Sequence, residues 1–507
     1  MFFDWYIGAL REPLSGRYLN GAAARAAIAA RAREFAACGV VRHDRVCLHY
    51  GNRVEFFVDI AAAWSLGACA VPLDPRLTEY EVEQLTKSLQ PRVSVWDRAV
   101  TPPLHTALQA AGAHCTTLGD ALEQRSLQDA SLPHLDDAAL VLLTSGTTGS
   151  PKAAVHTHRS LRARWASQRD SLGVDAFERT LCLLPTNFAW GLVGNSLYPW
   201  LSGQELIVLP AFRADLLVRV GALCDEHAVT YLPMVPASWR MALRTAAPPK
   251  RGTLRRVSSG TGPLPSAVWS AVRKWSGVDD VLTVYGITEC GWLSWHSALD
   301  GTLEEGVVGC GKGVIFRILP LGVDIEAAAD ATPLPHGEPG EVWVSTPALM
   351  QGYFGRDDLT RQCSRSGWFR TGDIGSLGSH GCLTLRGREK EMINAGGVKV
   401  YPTDIDAVIA SSNLVSDVCV FGAPDPLHGE QVAVAITLPT ADPGAAAAVL
   451  RWTRQRLAAY QVPRTWYLVD EIPRTARAKI DRAKVAAHCA ALRPIDARLL
   501  ESATPSA

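Results

Sequence analysis

The sequence predicts an α/β protein with a large N-terminal domain of layered sheets and helices and a small α+β C-terminal domain. Three observations carry that expectation. Strand-like and helix-like stretches alternate through residues 20–97, the pattern of a mostly parallel sheet with helices laid over it. A chain of 507 residues is too long for one ordinary core, so at least two domains are required. From residue 391 onward the pattern shortens to helix, strand, strand, helix.

Residues 20–40 are alanine-rich, with Arg25, Arg31 and Arg33 interspersed, which suits an amphipathic helix. RVCLHY at 45–50 is strand-like, VEFFVDIAAAWSLGA at 54–68 is helical, and ACAVPLD at 68–74 is a short buried strand ended by Pro72. LTEYEVEQLTKSL at 77–89 is a helix with its acids leading, and RVSVWD at 92–97 returns to strand. Val141 to Thr144 form the end of a buried strand, and HRSLRARWASQRDSL at 158–172 is helical. In the last part YPTDIDAVIASS is a helix, VSDVCVFGAPD a strand and turn, EQVAVAITLP a strand and AAAAVLRWTRQRLAAY a helix.

Hydrophobic residues make up 48% of the chain and charged ones 20%, as in soluble globular proteins. The 50 basic residues balance the 50 acidic ones without a basic block, which argues against nucleic-acid binding as the main task. The 12 cysteines are scattered without a CxxC pair. They predict buried or free thiols in a reducing compartment, not a disulfide frame or a zinc site. MFFDWYIGALREP lacks the basic leader of a signal peptide. The apolar stretch at 57–73 is interrupted by Asp59 and too broken to span a membrane. ESATPSA carries no targeting or lipidation signal, so a cytoplasmic protein without membrane partners is expected.

One stretch dominates the reading of function. Ser145, Gly146, Thr147, Thr148, Gly149, Ser150, Pro151 and Lys152 offer glycines, hydroxyls and one lysine, and little that could fill a core. Glycines let backbone N–H groups approach an anion, hydroxyls add donors, and the lysine adds charge. A polar surface loop is the plain alternative. A Walker A loop is excluded, because only Thr147 and Thr148 separate Gly146 from Gly149, and Pro151 stands where the helix would begin.

The run resembles the phosphate loop of the adenylate-forming superfamily, which includes acyl- and aryl-CoA synthetases, peptide-synthetase adenylation domains and luciferases. The superfamily's other motifs follow in order, from the RVCLHY strand to Lys479. RRVSSGTGPLP at 255–265 looks like the adenine-side turn, with Ser259, Gly260, Thr261, Gly262 and Pro263. In VLTVYGITECGW at 281–292, Tyr285 offers a flat face for adenine and Gly286 close backbone approach. Thr288 offers a hydroxyl for the α-phosphate, and Glu289 a hard oxygen for Mg²⁺. GWFRTGDIG at 367–375 brings Asp373, whose two acceptor oxygens suit a ribose diol. RGREKEMINAGGVKVYPTDI at 386–405 supplies Arg388 to support the sugar or phosphate.

The resemblance also implies a hinge at Lys390, a tight turn at Gly396 and Gly397 beside the path of CoA, and a CoA-nucleotide contact at His428. Lys479, within IPRTARAKIDRAKV at 472–485, corresponds to the lysine that reaches the carboxylate and α-phosphate. Thr144 to Gly149 and Lys152 would hold the β- and γ-phosphates. The implied division is an adenylate-forming domain at 1–387, a hinge at 388–390 and a small domain at 391–507 carrying the catalytic lysine.

The acid would lie among Phe188, Trp190, Ser259, Val284, Gly286, Gly291 and Trp292. Phe188 and Trp190 fall on pocket-lining positions of LCLLPTNFAWGLVGNSLYPWLSG at 181–203, while Tyr198 and Trp200 read as core. Asn187, with no acid near it in this segment, disfavours an α-amino acid, since a buried ammonium needs a paired charge. Two tryptophans close a long tunnel, so an aromatic or compact acid is favoured, and FAWGLVGNSLYP looks like the segment of benzoate-type ligases. His156 and His158 read as packing residues. Ala153 and Ala478 replace usual glycines, with slowed loop motion as the expected cost at most.

The resulting expectation is an ATP- and Mg²⁺-dependent acid–thiol ligase that forms an acyl-adenylate and passes the acyl group to CoA. A free-standing adenylation enzyme loading a carrier-protein phosphopantetheine is the near alternative. A non-catalytic nucleotide-binding relative is the distant one.

Overall fold

The computed structural model describes residues 6–118, 133–144, 152–211, 213–262, 264–301, 304, 306–395, 398–426, 429–439, 443–475 and 479–495. Among these residues the strands form three sheets. The first has the order Gly352–Tyr353, Lys152–Thr157, Ala138–Thr144, Cys69–Pro72, Arg45–Leu48, Val93–Trp96 and His114–Thr117. Its last five strands run parallel, as the alternating pattern predicts, and Lys152–Thr157 returns antiparallel.

Helices form where the sequence expects them, at Gly21–Ala37, Val54–Ser65 and Glu79–Leu89. Asn20 caps the first by accepting from Ala23 N at 2.8 Å. Thr78 and Glu81 form a reciprocal capping box on the third. Asp59 does not break the apolar helix that holds it. Buried, it accepts from Arg31 Nε at 2.7 Å and from the Tyr50 hydroxyl at 2.6 Å. Its charge is thereby paired within the core, which offsets the cost of burial.

The second sheet runs from Ile315–Leu319 through Gly340–Ser345, Trp368–Leu377, Cys382–Arg388, Val307–Gly311, Gly291–Ser297, Val281–Ile287, Arg256–Gly260, Tyr231–Met234, Arg179–Cys182 and Glu205–Val208 to Leu10–Glu12 and Arg17–Leu19. It is parallel from Leu10–Glu12 to Val281–Ile287 and antiparallel from Gly291–Ser297 onward. The expectation of a mostly parallel architecture therefore holds for the first sheet and for half of the second. Large aromatics such as Trp64, Trp200, Phe56 and Phe57 are fully buried in the principal core, each worth about 2–3 kcal/mol of burial.

The third sheet is small. Val398–Val400, Ile393–Ala395, Gly429–Thr437 and Asp417–Asp425 lie side by side, and Thr465–Leu468 joins Gly429–Thr437 in parallel. Helices Pro402–Ala410, Pro443–Arg454 and Arg482–Ala490 complete this region. The chain passes from the second sheet to the third through the single turn Glu389–Glu391. Arg482 anchors that passage, with Nη2 2.6 Å from Asp406 and Nε 3.0 Å from Glu391.

One expectation is corrected here. Cys310 and Cys382 are disulfide-bonded, although the scattered spacing predicted thiols alone. They stand directly opposite on neighbouring antiparallel strands, a pairing that sequence separation hides. Ten other cysteines are free, and Cys47, Cys69, Cys182, Cys224, Cys290, Cys419 and Cys489 among them are buried. Among the described residues no helix is long and apolar enough to cross a membrane.

Candidate active site

The phosphate-loop sequence connects two paired strands. Ala138–Thr144 and Lys152–Thr157 are antiparallel, with Thr144 opposite Lys152, so the sheet fixes both ends of the run. Ser145, Gly146, Thr147, Thr148 and Gly149 lie outside the described residues. Ala153 sits in register opposite Leu143 in extended backbone. It is absent from the positive-φ positions, so its methyl group meets no backbone conflict.

Lys152 Nζ lies 5.2 Å from the centroid of the Tyr353 ring, a cation–π distance. The Tyr353 hydroxyl donates to Glu289 Oε1 at 2.6 Å. Burial, and then Glu289 beside it, push the Tyr353 hydroxyl above its usual range, so it stays protonated and donating. Met350 N donates to the Glu289 carbonyl at 2.7 Å, and Gln351 N to that of Val155. The segment at 350–353 therefore stitches the loop-bearing strand to the turn at Thr288 and Glu289. His156, buried on the same strand, donates from Nε2 to the Thr288 carbonyl at 2.9 Å. Burial lowers its pKa to about 4, keeping the ring neutral. His158 is also buried, edge-on to Trp64 at 5.6 Å.

Asp373 and Arg388 face each other across adjacent strands. Arg388 Nε forms an ion pair with Asp373 Oδ1 at 2.7 Å, and the Tyr285 hydroxyl donates to Oδ2 at 2.6 Å. Asp373 thus has both oxygens engaged and is only 5% exposed. Asp373 raises the Arg388 pKa above its usual range. Tyr285 is itself buried, which pushes its hydroxyl up, and Asp373 adds to that. Lys390 is lowered by partial burial, then by Arg388, with Lys152 also contributing. Lys152, Arg388 and Lys390 therefore sense one another.

Gly286 sits at a register shift beside Tyr285, and a Cβ there would stand 2.3 Å from the Gly291 carbonyl oxygen. No other residue fits that backbone approach. Thr261 holds φ +74 without being glycine, a strained conformation of the kind found at ligand sites.

Trp190 begins a π-helix, Trp190–Leu197. Its indole stacks on Trp292 with centroids 5.2 Å apart and planes 27° apart. Glycines make room for both rings: a Cβ on Gly260 would stand 2.6 Å from Trp190, and one on Gly194 2.5 Å from Trp292. Gly260, expected on the nucleotide side, thus also borders the tryptophan pair. Val284 packs with that pair, Ser259 is buried, and Phe188 is half-buried. Asn187 is buried and hydrogen-bonds Asp74. An acid therefore does approach Asn187, but from a distant segment and already held by Arg76, 2.7 Å away.

Lys479 is exposed in the small C-terminal region, and its carbonyl accepts from Thr475 N at 2.8 Å. The neighbouring Arg474 pairs with Asp417, and both act electrostatically on Arg240 of the helix Pro236–Thr245. The segment bearing Lys479 therefore lies within electrostatic range of that helix. Gly396, Gly397, His428 and Ala478 lie outside the described residues. Two residues of this cluster carry no signal of it in the sequence. Tyr353 looks like any core tyrosine, and His156 reads as a helix-start or packing residue. Only the fold gives them these partners.

Comparison with known proteins adds the following. Residues 9–354 match the model of the family described as AMP-binding enzyme, and residues 404–479 that of the AMP-binding enzyme C-terminal domain. The chain is 31% identical over 458 residues to long-chain-fatty-acid–CoA ligase FadD13 of Mycobacterium tuberculosis, covering 88% of each. It is 29% identical over 468 residues to oxalate–CoA ligase of Arabidopsis thaliana, covering 89% of each. Its fold is similar to that of ATP-bound MatB from Rhodopseudomonas palustris, with a TM-score of 0.85, 26% identity and 96% of each chain covered.

Proposed function

Since the chain belongs to the AMP-binding enzyme family, we propose that it activates a carboxylic acid with ATP and transfers the acyl group to the thiol of CoA. The observation that supports this most is the cluster joining Lys152, Tyr353 and Glu289 next to the triad Tyr285, Asp373 and Arg388. Two of its similar relatives are named as CoA ligases, one for long-chain fatty acids and one for oxalate. CoA is what their names share.

A carboxylate is a poor acyl donor because oxide is its leaving group. Attack of the carboxylate oxygen on the α-phosphorus of ATP forms an acyl–AMP anhydride and expels pyrophosphate. The thiolate of CoA then attacks the acyl carbon, and AMP leaves. The residues align the reactants and spread charge, with no covalent step of their own. Thr144, the run 145–149 and Lys152 would hold the β- and γ-phosphates. Tyr285, Gly260, Thr261 and Gly286 would border adenine. Asp373 and Arg388 would take the ribose, and Thr288 the α-phosphate. Mg²⁺ usually binds through one or two carboxylates plus substrate phosphates, and Glu289, oriented by Tyr353, suits that role. The ion would neutralise triphosphate charge.

Lys479 would balance the charge built up in the first step. A swivel of residues 391–507 about Lys390, relative to 1–387, would then withdraw it and bring Gly396, Gly397 and His428 to the CoA path. Phe188, Trp190, Ser259, Val284, Gly291 and Trp292 would enclose an aromatic or compact acid.

The test is pyrophosphate release with ATP and Mg²⁺ over a panel of acids, with and without CoA, and mass spectrometry of products. Acyl-CoA from an acid supports the full reading. Adenylate without acyl-CoA moves the acceptor to a carrier-protein phosphopantetheine. ATP binding with no pyrophosphate release from any acid would overturn it in favour of a non-catalytic relative.

A further inference from the structure

We infer that the acid activated here carries a second anionic group, a carboxylate or sulfonate, and that Arg164 binds it beside the Trp190–Trp292 pair. This rests on the ligase reading above and names its substrate class.

Arg164 projects from the helix His158–Leu172 and is only 3% exposed. Its guanidinium lies against Gly291, where a Cβ would stand 2.8 Å from Nε and 3.2 Å from Nη2. Neither nitrogen has a hydrogen-bond partner. Burial lowers its pKa to about 10, opposed only by the Cys290 thiol, with no carboxylate among its influences. Other buried arginines of this chain are matched: Arg31 by Asp59 and Glu34, Arg482 by Asp406 and Glu391. A buried cation without a counter-ion is strongly disfavoured, so a ligand anion is the natural complement.

The surroundings agree. Gln168, one helical turn on and on the same face, is fully buried with neither amide atom bonded. The indole N–H groups of Trp190 and Trp292 and the Ser259 hydroxyl are likewise unbonded. Donors outnumber acceptors among these unbonded groups, which favours an anion over a neutral polar group.

The reacting carboxylate cannot be the permanent partner. It becomes a neutral acyl carbonyl when the adenylate forms, and would leave the guanidinium unmatched for the second half-reaction. A second anion that takes no part in the chemistry stays paired throughout.

The experiment compares matched acids by kcat/KM for pyrophosphate release: malonate with propionate, succinate with butyrate, and the three benzenedicarboxylates with benzoate. At least one doubly charged acid should be preferred by about 100-fold, the size expected for a buried charge pair. Arg164→Met should collapse that ratio to near unity, with Arg164→Lys between. Wild-type protein alone supplies a second readout, because the preferred diacid should raise the Tm and its monoacid partner should not. Turnover of singly charged acids only, with no diacid used, would overturn this inference and leave the ligase reading standing. An Arg164→Met enzyme that loses both acids equally would also overturn it. No pyrophosphate release from any acid would overturn both.

Discussion

Asp373 has both oxygens engaged, by the Tyr285 hydroxyl and by the Arg388 guanidinium. A ribose diol bound there would share or displace those groups, and the carboxylate is oriented in advance. The same logic governs Glu289, whose Oε1 is fixed by Tyr353. Tyr353→Phe removes a hydrogen bond to a charged group, worth about 1.5–3 kcal/mol. It should raise the Mg²⁺ concentration needed for half-maximal pyrophosphate release by about tenfold or more, and lower fold stability by an amount of that same size. An unchanged Mg²⁺ requirement would separate Tyr353 from the metal role. Lys479→Ala should slow adenylation by about 100- to 1,000-fold and spare CoA-dependent consumption of a supplied acyl-adenylate. A variant that adenylates normally would refute the assignment. Asp373, Arg388, Glu289 and Lys152 are candidates that sequence can propose, because each sits in a short motif whose chemistry is local. Tyr353 could not be proposed so, since its meaning comes from a partner far along the chain, nor could Arg164, since only the fold shows it buried without one.

At the scale of elements, the β-strand and helix spans follow hydrophobic period, capping residues and proline stops closely. The capping box at Thr78 and Glu81 marks its helix start, and Gly173 at φ +64 ends the helix that carries Arg164. Less legible were the antiparallel half of the second sheet and the Cys310–Cys382 bond, both set by pairing between distant strands. Nor does composition reveal the π-helix at Trp190–Leu197, whose turns are set by the side chains it must pack. That element predicts a test. Gly194→Ala would place a methyl group 2.5 Å from the Trp292 indole, an overpacking of about 1–3 kcal/mol. Acid KM should rise several-fold or more while ATP affinity holds, measured by kinetics and by nucleotide titration. A parallel loss of ATP affinity would mean that the aromatic pair also supports the nucleotide side.

Over the whole molecule, three buried histidines set a pH limit. Burial lowers His49 to about 3 and His156 and His158 to about 4. Unfolded, each titrates near 6.5. Between those values the unfolded chain takes up protons that the folded one refuses, so the fold loses stability as pH falls. Their contribution is complete above about pH 6.5 and declines below it, by at most about 1.4 kcal/mol per pH unit for each ring. Denaturant midpoints should hold steady from pH 8 to 7 and fall between pH 6.5 and 4. A flat profile down to pH 5 would contradict this. Asp137, held down to about 2 by Arg42, adds a further loss in the same direction at lower pH.

The stacked indoles of Trp190 and Trp292 have an optical consequence. Two identical chromophores 5.2 Å apart and inclined by 27° share their electronic excitation and give a paired signal in near-ultraviolet circular dichroism. The protein's 15 tryptophans contribute a broad background, but a ligand that wedges against this pair alters the splitting of its band. Arrival of the acid would then be visible as a spectral change before any bond is made, without ATP and without a label.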